Sequence, residues 1–244
     1  MILSRSVQMA LDVHIRTTRV DSPHMSYSYI SGAAAKIGTD ILEVTEDGTL
    51  YKNGQVLALD EDSAETSFDG YSLTKKFKGS KKRIIEYTLD LGYRKNVQIR
   101  SNTNSRMLFV DVNGAFVDGE GLLGAAPEGM PQTQPLLSRD GSTDLTGHWN
   151  TYGEDWQVND TDPKLFIDTE RHPQYPDGCM YHGDSNKKQK VRRRRLFEDQ
   201  QIVTAEEAKG ACAHLKDEDM RQFCVDDVLA TGDVELAEDP FYAI

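Results

Sequence analysis

The chain has 244 residues, 38% of them hydrophobic and 28% charged, and its 40 acidic against 28 basic side chains give a formal net charge of -12. That length buries a continuous core as one large domain, or as a medium domain with a smaller one. The negative field repels nucleic acid and anionic lipid, and no run approaches the roughly 20 apolar residues that span a bilayer, so polyanion binding and membrane insertion are not expected.

Met1 to Arg16 is broken by Arg5 and Asp12 and does not read as a signal segment. Val7, Met9, Leu11, Val13 and Ile15 alternate with polar residues, which predicts a half-buried strand over that whole stretch. "DILEVTEDGTLYKNGQVLAL" follows, in short β runs divided by Asp47-Gly48 and Asn53-Gly54, the dipeptides that supply the positive φ angles of tight hairpins. "RIIEYTLDL", "NVQIRSN" and "RMLFVDV" extend this antiparallel meander, and no amphipathic helix is needed before Val117. "DVNGAFVDGEG" superficially resembles a calcium loop, but Asp111, Asn113 and Asp118 miss the required positions, so a β-hairpin turn is the reading. The stretch from Gly119 to Gly147 reads as loop, and "HWNTYGEDWQV" as a closing strand whose Trp149 and Trp156 cap a sheet.

The expected organisation is a β domain over residues 1-170, a linker over 171-200, and a small helical segment over 201-244. The linker combines proline and glycine with "KKQKVRRRR", a composition that builds no core. In the tail, Thr204 is an N-cap before an acidic first turn, Gly232 is a stop, and "DVELAED" is a third short turn. Three cysteines, Cys179, Cys212 and Cys224, allow one internal bridge. Cys212 and Cys224 are the expected pair, because both sit in two short helices joined by "KDED".

Over Leu11 to Val158 the residues resemble the von Willebrand factor type D family. "LDVHIRT", with Asp12 and His14, stands where the family opens on Gly-Asp-Pro-His. "GLLGAAPEGM", "SRDGSTDL" and "YGEDWQV" then follow in the family's order, and "AKGACAHLKDEDMRQFCVDDVLATGD" looks like the cysteine-bearing helical segment that commonly follows such domains. The resemblance implies a mainly β, sandwich-like antiparallel domain with a helical segment behind it, secreted or at the cell surface. Its targeting segment would lie outside the sequence shown.

Where the family's loop carries cysteines and calcium oxygens, this chain has "GLLG" and then Ala125, Ala126 and Pro127, which offer a hard cation nothing. Covalent multimers through that loop are therefore not expected. Asp12, Asp140 and Asp144 still offer oxygens for calcium, with a role in turns preferred. Val13 replaces the family's proline, so self-cleavage at Asp12 is not expected. No cofactor is expected beyond that calcium.

His172, Cys179 and His182 fall within "HPQYPDGCMYHGD", where imidazole and thiolate suit zinc, but no fourth ligand is evident and a surface loop is preferred. Arg192, Arg194 and Arg195 ahead of Leu196 fit a convertase processing site, a nuclear signal or polyanion patch, or a solvated charge run. No hydrolase, P-loop or dinucleotide motif appears. The expectation is a non-enzymatic structural or adhesive module that associates with other protein chains, its own copies included, within a larger assembly. The competing reading is a metal-dependent hydrolase using His148, His172, Cys179 or His182.

Overall fold

In the computed structural model, residues 1-21, 26-59, 65-78, 83-123, 135-166 and 203-238 are described. Their strands are β1 (Ile2–Ser6), β2 (Leu11–Asp21), β3 (Ser26–Ile37), β4 (Asp40–Thr45), β5 (Leu50–Lys52), β6 (Gln55–Val56), β7 (Thr66–Phe68), β8 (Tyr71–Lys78), β9 (Ile84–Asp90), β10 (Asn96–Asn102) and β11 (Met107–Asn113). Helices α1 (Trp149–Asp155), α2 (Ala205–Ala211) and α3 (Glu218–Thr231) follow, with single 3-10 turns at Cys212–His214 and Val234–Glu238. The expected class holds: the chain is mainly antiparallel β with a small helical segment at its C-terminal side.

The strands form one sheet that branches at β3. Along Gly32 to Ile37, β3 lies between β2 and β4, while at Ile30 it meets Leu108 of β11. One arm runs β4, β5, β6 and the other β11, β10, β9, β8, β7. The arms curl face to face. The hydroxyl of Tyr87 donates to the Gly48 carbonyl at 2.8 Å, Ser101 Oγ donates to the Glu46 carbonyl at 3.2 Å, and the Tyr71 hydroxyl donates to Asp40 Oδ2 at 3.0 Å. Between them lies the main core, where Leu42, Val44 and Leu50 of one arm meet Leu73, Leu89 and Ile99 of the other. Alternation along each strand puts these side chains on one face.

Both hairpin dipeptides do what their sequence predicts. Gly48 takes φ +79°, and Asn53 and Gly54 take +51° and +81° in the two-residue turn joining β5 to β6. The predicted strand from Val7 to Ile15, however, is corrected. Val7 to Ala10 form the turn between β1 and β2, with Ala10 at φ +48°. Leu11, Val13 and Ile15 are buried as their alternation requires, whereas Val7 is 79% exposed. The apolar period simply continues through a turn, which Asp118 holds by accepting from Ser6 Oγ at 2.7 Å and from the Gln8 N–H at 2.9 Å. That contact also corrects the hairpin expected around Asp111 to Asp118: the chain leaves β11 and crosses to the edge of β1.

There, Arg5 and Glu120 exchange both backbone hydrogen bonds at 2.9 Å, and Leu122 and Leu123 donate to the carbonyls of Ile2 and Leu3. The crossing needs glycine at position 121. Its φ is +114°, and a Cβ there would stand 2.7 Å from the Leu3 carbonyl oxygen.

The expected closing strand at "HWNTYGEDWQV" is also corrected. Trp149 to Asp155 are helical, because Tyr152 and Trp156, four residues apart, turn to the same side and meet edge to face at 6.5 Å. Trp156 does cap the sheet, packing with Ile2, Leu145 and Tyr152 in a second cluster, while Trp149 is 67% exposed.

The tail follows its sequence closely. Thr204 and Glu207 form a reciprocal capping box, Asp217 accepts from the Met220 N–H, and Gly232 ends α3 in the left-handed conformation. Cys212 and Cys224, both fully buried with Cα atoms 6.0 Å apart, are joined in a disulfide, as expected.

Candidate functional site

β1 and β2 use one face for the main core. Their other face carries Asp12, His14 and Arg5, and residues 136-166 form an outer layer across it. Between layer and sheet lies a network of charges. Arg5 donates to Asp12 Oδ2 through Nη2 at 3.0 Å and Nε at 3.2 Å, and reaches Asp162 Oδ1 at 3.4 Å. Arg139 grips the same Asp162 in a bidentate fork, through Nη1 on Oδ2 at 2.9 Å and through Nη2 on Oδ1. The Asn159 N–H donates to Asp162 Oδ2 at 2.9 Å. His14 is 1% exposed, and its Nε2 lies 3.0 Å from Asp12 Oδ1 without hydrogen-bond alignment.

The electrostatics follow from the partners. Burial opposes ionisation of Asp162, but the fork from Arg139, the Asn159 N–H and Arg5 outweigh it and hold the carboxyl far below its ordinary range. Burial also opposes ionisation of Asp12, and His14 with Arg5 brings its pKa below the ordinary value. Two buried carboxylates are thus matched by two guanidinium groups, each about one-fifth exposed. Arg139 also lies 5.7 Å from the Trp156 ring and donates to the Gln157 carbonyl at 3.4 Å. Arg16 stacks 4.2 Å from the Phe166 ring at the end of the same layer. This arrangement clamps the outer layer to the N-terminal strands. Asp12 and His14 lie closed off from solvent, which suits a clamp.

The oxygens predicted for calcium are dispersed among separate tasks. Asp12 belongs to the clamp. Asp140 closes the turn at the tip of the outer layer, accepting from Ser138 Oγ at 2.6 Å and from the Ser142 N–H at 2.9 Å, contacts that lower its pKa to about 2. Asp144 accepts from the Thr146 N–H at 2.9 Å, and the bonds with Thr146 lower its pKa. Among the described residues, no group of three or more His, Cys, Asp or Glu is placed to hold a metal ion. His148 is exposed at the start of α1, without a side-chain cap bond. His172, Cys179, His182, Arg192, Arg194, Arg195 and Leu196 lie outside the described residues, as does the expected linker.

Sequence reading missed Arg5, Arg139 and Asp162. A signal was available for one side of the network: Asp12 and His14, two apart on a strand, share a face that must be covered if polar groups there are to be buried. No protein-family model matches this chain, and no curated protein matches it in sequence.

Proposed function

We propose that this chain is a secreted or cell-surface structural module, resembling the von Willebrand factor type D family, which acts by associating with other protein chains in a larger assembly. The Cys212–Cys224 bridge carries the reading, because such a staple persists in oxidising compartments and is rare in reducing ones. The charge clamp supports it. Arg5 and Arg139 supply fixed positive charge to Asp12 and Asp162, so the outer layer is held by side chains. The curled antiparallel sheet ends in short edge strands: β6, whose Gln55 and Val56 are exposed, and β7. Such edges offer backbone groups to a neighbouring chain.

Thiol titration of native chain without reductant, paired with sedimentation over a concentration range, tests this. One free thiol per chain, Cys179, together with concentration-dependent association, is the expected result. Three free thiols would overturn secretion, and a monomer at every concentration would overturn association. Stoichiometric zinc in the purified chain would instead favour the hydrolase.

A further inference from the structure

The helical tail is nearly complete by itself. Its buried core, Ala208, Cys212, Leu215, Cys224, Val225, Val228, Leu236 and Ala237, comes entirely from the tail, and its disulfide closes within it. Its helix ends are capped by its own Thr204, Glu207, Asp217 and Gly232. From the β body, Phe109 packs against this core. Polar contacts join it: Asn104 Nδ2 donates to Asp233 Oδ2 at 2.8 Å, and Arg83 Nη1 pairs with Glu235 Oε2 at 2.7 Å. Among the described residues, the tail's helices and the strands come close at few positions. The tail from 203 to 238 carries ten Asp and Glu against three Lys and Arg, and its acidic 233-235 turn meets the body at Arg83.

We propose that this dock is exchangeable: the tail of one copy seats on the Phe109, Asn104 and Arg83 surface of a second copy, linking chains through the contacts that otherwise hold the tail to its own body. The inference rests on the reading of the chain as an association module and gives that association a partner and a surface. The contacts are identical in both arrangements, so exchange costs no interaction and is governed by concentration. Residues 167-202 join body to tail with a contour on the order of 120 Å when extended, so chain length does not confine the tail to its own body. Against an effective concentration on the order of 1 mM for the tethered tail, about a tenth of the chains exchange at about 0.1 mM. Copies held side by side in an assembly reach the higher figure.

The test uses full-length chains with Cys179→Ser. One preparation carries Arg83→Cys and the other Glu235→Cys; the two are mixed and treated with a short bis-maleimide that spans thiols replacing a long ionic pair. The expected product is a cross-linked heterodimer whose yield rises with concentration and exceeds severalfold that of a control mixture of Arg83→Cys with Asp160→Cys, an exposed position on the outer layer. A single chain carrying both Arg83→Cys and Glu235→Cys should cross-link internally. Heterodimer yield no greater than the control throughout overturns exchange, and absence of the internal cross-link overturns the dock itself. Association in the sedimentation experiment without the heterodimer would sink the exchange and leave the association module standing; loss of both would sink both.

Discussion

Asp162→Asn separates the clamp reading from mere surface decoration. In the native chain Asp162 accepts from Asn159, Arg139 and Arg5, and its residue is 7% exposed. Asparagine keeps the shape and one acceptor oxygen but removes the charge that both guanidinium groups face. Arg5 retains Asp12, so the main loss falls on Arg139, left with the Gln157 carbonyl and the Trp156 ring. Removing one partner of a fully buried pair costs about 3–5 kcal/mol. Here both arginines are about one-fifth exposed, and water recovers part of that, so the expected cost is about 2–3 kcal/mol.

Urea unfolding followed by tryptophan fluorescence measures the difference, since Trp156 lies against the clamp. The pH dependence supplies the sharper check. A carboxyl whose folded pKa is depressed contributes stability above its unfolded value near 4 and loses it as pH falls toward the folded one. The gap between native chain and variant should therefore be constant from pH 7 to about 5 and shrink steadily below about 4. A deficit under about 1 kcal/mol, or one unchanged down to about pH 2, would refute the assignment of Asp162 as the clamp's anchor.

Replacing both Cys212 and Cys224 with serine removes a cross-link over a sequence separation of 12 and should lower the tail's stability by about 3 kcal/mol. Hydrogen exchange would read this as about a hundredfold loss of protection in α2 and α3, with β9 to β11 unchanged. Tyr87→Phe loses the bond to the Gly48 carbonyl, costing about 1 kcal/mol at neutral pH. Burial, with Asp47 adding to it, pushes the Tyr87 pKa up to about 12; a raised pKa gives stability present below the unfolded value near 10 and lost as pH rises to 12. The two stability curves should therefore cross near pH 11 in denaturant titrations, and parallel curves would contradict the buried hydroxyl. Gly121→Ala should destabilise by roughly 2–3 kcal/mol through strain at φ +114° and contact with Leu3, measurable as a lower urea midpoint.

What the sequence made legible was local. "RIIEYTLDL", "NVQIRSN" and "RMLFVDV" became β9, β10 and β11 because β-branched alternation and turn residues agree over a few positions. The tail was readable because caps are encoded within four residues of the helix ends they serve. Sequence and structure differ where a period runs across a boundary: Val7 continues the alternation of β2 from inside a turn, and the i, i+4 pair Tyr152 and Trp156 lies within a stretch that reads as a strand. The clamp was beyond local reading for another reason. Arg5 and Asp162 stand 157 residues apart, and nothing in either neighbourhood specifies which opposite charge it will meet.

The same network shows how Asp12 keeps its charge inside the protein. A buried carboxylate requires positive charge or donors nearby. A bound cation supplies this when ligand oxygens converge, as a calcium site requires. Here one Asp12 oxygen accepts twice from Arg5 while the other lies beside His14, and Asp162 accepts a fork from Arg139 with a backbone N–H. The carboxylates thus turn toward side chains fixed in β1 and the outer layer. Guanidinium charge cannot dissociate and is not titrated in the physiological range. Holding the layer this way makes its attachment a property of the polypeptide itself, set by four side chains drawn from β1, β2 and the outer layer.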